Sequence, residues 1–290
     1  MYACFDHDIA ADKLDRDAFK FHHKLTTHPA LTLDNLARVL PALPKERVMY
    51  STKRLSANAD FEATFRKRPQ DCSIEETLES IRTSDSYIMV SSPEVDRSFA
   101  PLYKELLGDV ERVMKARGVG EIARHAKLFL FIASPNSVTP FHIDRYSTFL
   151  MQFRGSKEVS VFPQWDERIV SAANQEAYVA NVSTKLPYSK EMDKFGTRFQ
   201  FAPGEALHIP FIAGHHVKNG ADDVSISMSI IFNTEQSLAW RNALMFNHVS
   251  RKLQKVIGMA PTPVGHSGWR DAAKAKLWPA TSRAIQLVRA

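Results

Sequence analysis

Hydrophobic positions over residues 1–122 recur mainly at helical spacing. Asp12 to Leu25 and Leu33 to Leu43 each repeat apolar residues every three or four positions, and both stretches are predicted as helices. The second has Thr32 or Asp34 as a cap and Pro44 beyond its end. Val48-Met49-Tyr50 reads as a short strand. Ser73-Ile74-Glu75-Glu76 is a capping-box signature ahead of Leu78 and Ile81. Tyr87 to Val90 reads as a strand, and Phe99 to Ala116 as an amphipathic helix ended by Gly118 and Gly120.

The pattern then changes. Ala126 to Ile132, Phe149 to Phe153, Glu158 to Phe162, Phe199 to Phe201, Ala206 to Ile209 and Val224 to Phe232 are short β-rich runs punctuated by Gly, Pro, Asn and Ser. Their spacing suits an antiparallel barrel or a double-sheet sandwich. Val224 to Ile230 alternates strictly, as a strand with one buried face does. From Glu235 to Val256 the period is helical again, with Leu238, Leu244, Val249, Leu253 and Val256 as an apolar stripe. The tail from Pro261 is mixed, with Trp269 and Trp278 as expected anchors. These elements predict one domain over residues 1–290. A mostly helical part (1–122) precedes a β core (123–235), and a helical part (236–290) follows it.

Composition narrows this picture. The 290 residues are 44% apolar, with 18 Phe and 4 Trp, enough for a sizeable core. No window of eighteen apolar residues occurs, so no membrane span is expected, and the N-terminus lacks the pattern of a secretory signal. Cys4 and Cys72 stand alone, which excludes a zinc spacing or a disulfide framework and suits a reducing cytoplasm. The net charge of +6 is compatible with a nucleic-acid partner. The basic residues are nevertheless dispersed, with short clusters such as Arg66-Lys67-Arg68, and no nucleic-acid motif accompanies them.

The candidate chemistry lies in two phrases. Thr139-Pro140-Phe141-His142-Ile143-Asp144 carries a His-x-Asp pair, and residues i and i+2 of a strand share a face. A third ligand must come from another strand. The phrase from Ile209 to Asn219 offers His215 and His216, of which only one can face a metal from an extended strand. A neighbouring antiparallel strand beginning at His215 would bring it beside the pair. Two imidazoles and one carboxylate with open positions are the ligand set of non-haem iron(II) oxygenases. His7, His22, His23, His28, His125, His208, His248 and His266 read as surface, capping or packing residues.

The first phrase continues into Phe149, Gln152, Gly155, Lys157 and Phe162-Pro163. With Gly204-Glu205-Ala206-Leu207-His208-Ile209-Pro210 and His215-His216-Val217-Lys218-Asn219, it closely resembles the JmjC and cupin-like Fe(II)- and 2-oxoglutarate-dependent oxygenases, in the pattern of the factor-inhibiting-HIF-type hydroxylases. The resemblance covers about Ala126 to Asn233. It implies a double-stranded β-helix (cupin or jelly-roll) core with helices packed around it. It also implies Fe(II) held by His142, Asp144 and His215, with His215 selected over His216. The 2-oxoglutarate co-substrate would be bound by Thr139 and Lys157, with Thr148 at a further polar position. Dioxygen would be consumed, with succinate and CO2 as products. The outcome would be hydroxylation, or demethylation through hydroxylation, of an unidentified protein, peptide or small molecule.

Two features depart from the family. Its co-substrate-contacting Tyr has no counterpart in Lys127 to Ile132, where Phe129 or Phe131 would fill the space. Its Asn near the end of the last core strand is replaced by Ile231 or displaced to Asn233. Two alternatives stand beside the oxygenase: a non-catalytic cupin-like regulatory or binding protein with a basic surface, and a cupin isomerase or dioxygenase that uses no 2-oxoglutarate. By the same resemblance the Glu235–Val256 helix is a dimerisation element, unless its stripe packs on its own barrel. Substrate recognition is expected from Asp166 to Gly196, with Lys185 to Arg198 as a lid or a solvated loop.

Overall fold

The computed structural model describes residues 1–52, 55–56, 58–64, 73–256 and 258–289. Cys72, the Arg66-Lys67-Arg68 cluster and the Leu253 side chain lie outside what is described.

Among the described residues, eleven strands form two antiparallel sheets. In chain order they are β1 (Phe19–His22), β2 (Val48–Ser51), β3 (Tyr87–Ser91), β4 (Arg124–Ala133), β5 (Val138–His142), β6 (Ser147–Arg154), β7 (Lys157–Val161), β8 (Thr197–Phe201), β9 (Glu205–Ile209), β10 (His215–Asn219) and β11 (Ser225–Asn233). The larger sheet runs β1-β9-β6-β11-β4-β3-β2 and the smaller β5-β10-β7-β8. Leu150, Leu207 and Ile209 of the large sheet meet Val159, Val161, Phe201 and Val217 of the small one, so the two pack face to face as a cupin core.

The helices are α1 (Leu33–Ala42), α2 (Phe61–Thr64), α3 (Ile74–Ser80), α4 (Ala100–Arg117), α5 (Ala172–Val179), α6 (Glu235–Val256) and α7 (Gly268–Arg289). Local chemistry accounts for several of their ends. The Thr32 side chain caps α1, Ser73 and Glu76 close a capping box on α3, and Gly118 ends α4 in the left-handed conformation at φ +74°. The outer face of the large sheet (Leu128, Leu130, Met228, Ile230) packs against Leu36, Val39 and Leu40 of α1 and Leu102, Leu106, Val110 and Val113 of α4. No helix among the described residues is long and apolar enough to cross a membrane.

Four expectations are corrected. Asp12 to Leu25 is not a helix: a short 3-10 turn at Ala11–Lys13 leads into β1, hydrogen-bonded to β9 at the sheet edge. Phe19 and Phe21 are buried while Lys20 and His22 face outward, a period of two within a run that also fits a helical period. The alternation of β11 does not mark a solvent face, because all nine of its residues are buried. Ile226, Met228 and Ile230 face the helices, whereas Ser229 lines the barrel interior. In the tail, α7 is a continuous helix whose Trp269 is 73% exposed and so anchors nothing; Val256, assigned to the α6 stripe, is 85% exposed.

Candidate active site

Register between strands brings the two phrases together. His215, first residue of β10, pairs with His142 at the end of β5 and with Val161 of β7. A bulge follows: Val217 pairs with Thr139, so β5 spends one more residue than β10 between the two pairs. That extra residue turns Thr139 and His142, three apart, to the same side. Pro140 falls within this stretch, where the absence of a backbone N–H is tolerated.

Asp144 is not on the strand as expected, since β5 ends at His142. It lies in the connection to β6, yet its carboxylate returns to the imidazoles. One ligand atom each from His142, Asp144 and His215 lies within 4.8 Å of the others, a group able to hold a metal ion. His215 Nε2 is 3.7 Å from Asp144 Oδ2, and the two ring centroids are 4.1 Å apart.

The turn Pro210 to Gly214 fixes His215. Ile212 N–H donates to the Asp144 carbonyl at 3.0 Å, and Phe162 N–H donates to the Gly214 carbonyl at 2.8 Å. Ile212 sits at φ +52°, a region a β-branched residue seldom enters. A Cβ on Gly214 would stand 2.8 Å from the Phe141 ring, so only glycine lets the turn lie this close. The buried Asp15 carboxylate ties both loops: it accepts from the Ser147 hydroxyl at 2.6 Å and from Phe211 N–H at 3.2 Å.

His142 Nδ1 lies 2.8 Å from the Pro140 carbonyl and His215 Nδ1 lies 3.0 Å from the Ala213 carbonyl. With the proton on Nδ1, each Nε2 keeps its lone pair for a metal. Burial pushes both imidazole pKa values down, which favours the neutral form a metal requires. The Thr148 hydroxyl donates to Asp144 Oδ2 at 3.3 Å, and the Phe61 ring stacks on His142 at 4.6 Å. The donor set, the neutral imidazoles and the enclosure all fit a divalent transition metal.

The triad opens into a cavity of about 340 Å³ that also contains Thr139, Thr148 and Lys157. Lys157 pairs with Asn219, four residues along β10 from His215, so it sits well inside the barrel from the ligands. It is 4% exposed and has no carboxylate at ion-pair distance among the described residues. Burial pushes its ammonium down to about 7. An enclosed cation without a counter-charge is costly, and an anionic ligand would relieve it.

Tyr87 completes the group and was missed in the sequence. Its phenol accepts from the Thr139 hydroxyl at 3.3 Å, and burial pushes its pKa up, so it remains a donor. Lys127 to Ile132 holds no phenol; Tyr87 stands on the neighbouring strand, where it pairs with Ala133. Phe129 and Phe131 line the cavity. Ile231 does so too, while Asn233 turns away to the Arg145 carbonyl at 3.2 Å and to His125 at 3.3 Å. His216 faces the opposite way, toward Asp193 at 3.3 Å and Tyr188 at 3.4 Å. Among the described residues of Asp166 to Gly196, Tyr178 and Asn181 reach the cavity. The Lys185 to Arg198 stretch lines none of it; its Tyr188, Met192 and Phe195 pack on the outside against Phe141 and Phe162.

No curated protein matches the sequence. Among solved structures the chain is similar to E. coli ycfD (13% identity, TM-score 0.44), covering 92% of this chain and 63% of that one. It is also similar to the Drosophila melanogaster CENP-C cupin domain (13% identity, TM-score 0.25), covering 36% of this chain and 59% of that one. The chain thus spans about three fifths of the length of either relative. Residues 17–237 match the family model described as the cupin-like domain, and the chain belongs to that family.

Proposed function

We propose that the protein is an Fe(II)- and 2-oxoglutarate-dependent oxygenase. It would hydroxylate a C–H bond of its substrate, or demethylate where the carbon is an N-methyl group. The reaction balances as substrate, O2 and 2-oxoglutarate going to hydroxylated substrate, succinate and CO2. The observation that carries this reading is the buried Lys157, without a counter-charge among the described residues, sharing one cavity with His142, Asp144 and His215. A metal site alone would need no such cation.

In this reading His142 Nε2, His215 Nε2 and one Asp144 oxygen would hold the iron. Bound Fe(II) would supply the redox chemistry that activates dioxygen and decarboxylates the keto acid. Thr148 holds the Asp144 carboxylate in place through its hydroxyl. Lys157 would meet the far carboxylate of 2-oxoglutarate, with the Tyr87 phenol as a neutral donor beside it, oriented by the hydrogen bond it accepts from the Thr139 hydroxyl. Phe129, Phe131, Leu150, Ile209 and Val217 exclude water from the interior. The residues thus position and shield, and no general base is required. A reducing cytoplasm, which keeps iron ferrous, is the proposed compartment.

Succinate release measured with Fe(II), ascorbate and 2-oxoglutarate in air tests this. Formation above a metal-free control supports the oxygenase, and mass spectrometry of the substrate then reads a gain of oxygen or a loss of methyl. Succinate at background across a broad substrate panel would favour a cupin-like binding protein.

A further inference from the structure

The cavity wall carries more positive charge than iron and 2-oxoglutarate use. Lys127, Arg145, Lys157 and Arg241 line it, against the carboxylates of Glu62 and Asp144. A divalent metal and a keto diacid cancel one another, and they occupy Asp144 and Lys157. Arg145 is matched by Glu62, Nη1 to Oε1 at 2.6 Å. Lys127 and Arg241 remain, and among the described residues no carboxylate lies within ion-pair distance of either. Glu94 acts on Lys127 only from beyond that distance.

Both belong to the wall of that one cavity. Lys127 pairs with Ile231 and extends the interior face of β4 outward from Phe131 and Phe129. Arg241 comes from α6 and lines the same cavity. Aromatic rings lie against the cations: Lys127 Nζ is 4.8 Å from the Phe129 centroid and 6.0 Å from that of Tyr146, and the Arg145 guanidinium lies 4.3 Å over Tyr178.

We propose that the outer half of the cavity is an anion pocket, and that the molecule oxidised there is a compact acid whose carboxylate or phosphate is held by Lys127 and Arg241. That it is oxidised rests on the oxygenase reading; that it is an anion does not. A cavity of about 340 Å³ leaves room beside a keto diacid for a metabolite-sized molecule, with its carbon skeleton against Phe61, Phe129 and Tyr146.

The test uses the full chain loaded with Mn(II) and N-oxalylglycine, an unreactive stand-in for 2-oxoglutarate. One ring is presented with four charges: phenyl phosphate, benzoate, benzamide and benzamidine, titrated by calorimetry. The two anions should bind at least about tenfold tighter than benzamide, and benzamidine should not bind. The order of phenyl phosphate and benzoate assigns phosphate or carboxylate. Lys127→Gln and Arg241→Gln should each weaken the anions about tenfold, with the melting temperature and N-oxalylglycine affinity unchanged. Equal binding across the series, or anion binding indifferent to both variants, overturns the proposal. A chain that takes up neither Mn(II) nor N-oxalylglycine defeats the oxygenase reading alone. The series on the metal-free chain then decides: anion preference lost in Lys127→Gln and Arg241→Gln but kept in Lys157→Met upholds the pocket, and no preference ends it.

Discussion

Replacing Lys157 with Met should make the ligand-free protein more stable while removing its hold on 2-oxoglutarate. Burial pulls the ammonium from 10.5 to about 7. At about 1.4 kcal/mol per unit, the charged form costs the fold about 5 kcal/mol, an order-of-magnitude figure. The pH dependence follows from proton occupancy. Below about 7 both folded and unfolded chains hold the proton, so Lys157 contributes no slope. Between about 7 and 10.5 the unfolded chain holds it and the folded chain does not, so stability rises with pH. Urea unfolding at about pH 7 and about pH 9.5 should therefore show the advantage of Lys157→Met over wild type shrinking by about 3 kcal/mol. Other titrating groups cancel in that difference. Saturating 2-oxoglutarate with Mn(II) should stabilise wild type strongly and Lys157→Met little. Calorimetry of that binding at about pH 8, in buffers of different ionisation heat, should report uptake of about one proton as the amine recharges. Two stability profiles that run parallel across this window would refute the reasoning, because Lys157 would then be solvated or already paired.

Three further outcomes are expected. His215→Ala should reduce bound iron, measured by elemental analysis, to background, while His216→Ala keeps it, since His216 faces Asp193 and Tyr188. Tyr87→Phe should raise the KM for 2-oxoglutarate about tenfold with little change in kcat, the signature of a lost ground-state hydrogen bond in steady-state kinetics. Gly214→Ala should destabilise the fold by roughly 1–3 kcal/mol in urea and weaken metal binding, because the new methyl meets the Phe141 ring and moves the turn that carries His215.

What could be read in the chain followed from local chemistry. The Thr32 cap, the Ser73 capping box and the Gly118 stop each need only a few neighbouring residues, and each appears in the structure. The six β-rich runs were visible because period and punctuation are local too. β1 was not, because its stability comes from pairing with β9, far along the chain, while its short alternation sits inside a run of helical period. The serines of β11 misled because polar residues on alternate positions look the same whether they face water or an enclosed chamber. The role of Tyr87 was hidden for a related reason. Its strand was legible, but the pairing that sets β3 beside β4 and brings the phenol to Thr139 was not. Asp144 left its strand without leaving the site, since two residues of connection turn the carboxylate back to His142 and His215. The cavity cations Lys127 and Arg241 come from a strand and a helix well separated in sequence, and only their shared cavity sets them together.

Anaerobic titration of the folded protein with Fe(II) and then 2-oxoglutarate tests the central claim most directly. A weak visible charge-transfer band should appear on adding the keto acid, and should be absent in His142→Ala and Lys157→Met at the same concentrations. A wild-type protein that is folded and iron-loaded yet develops no band would contradict the account.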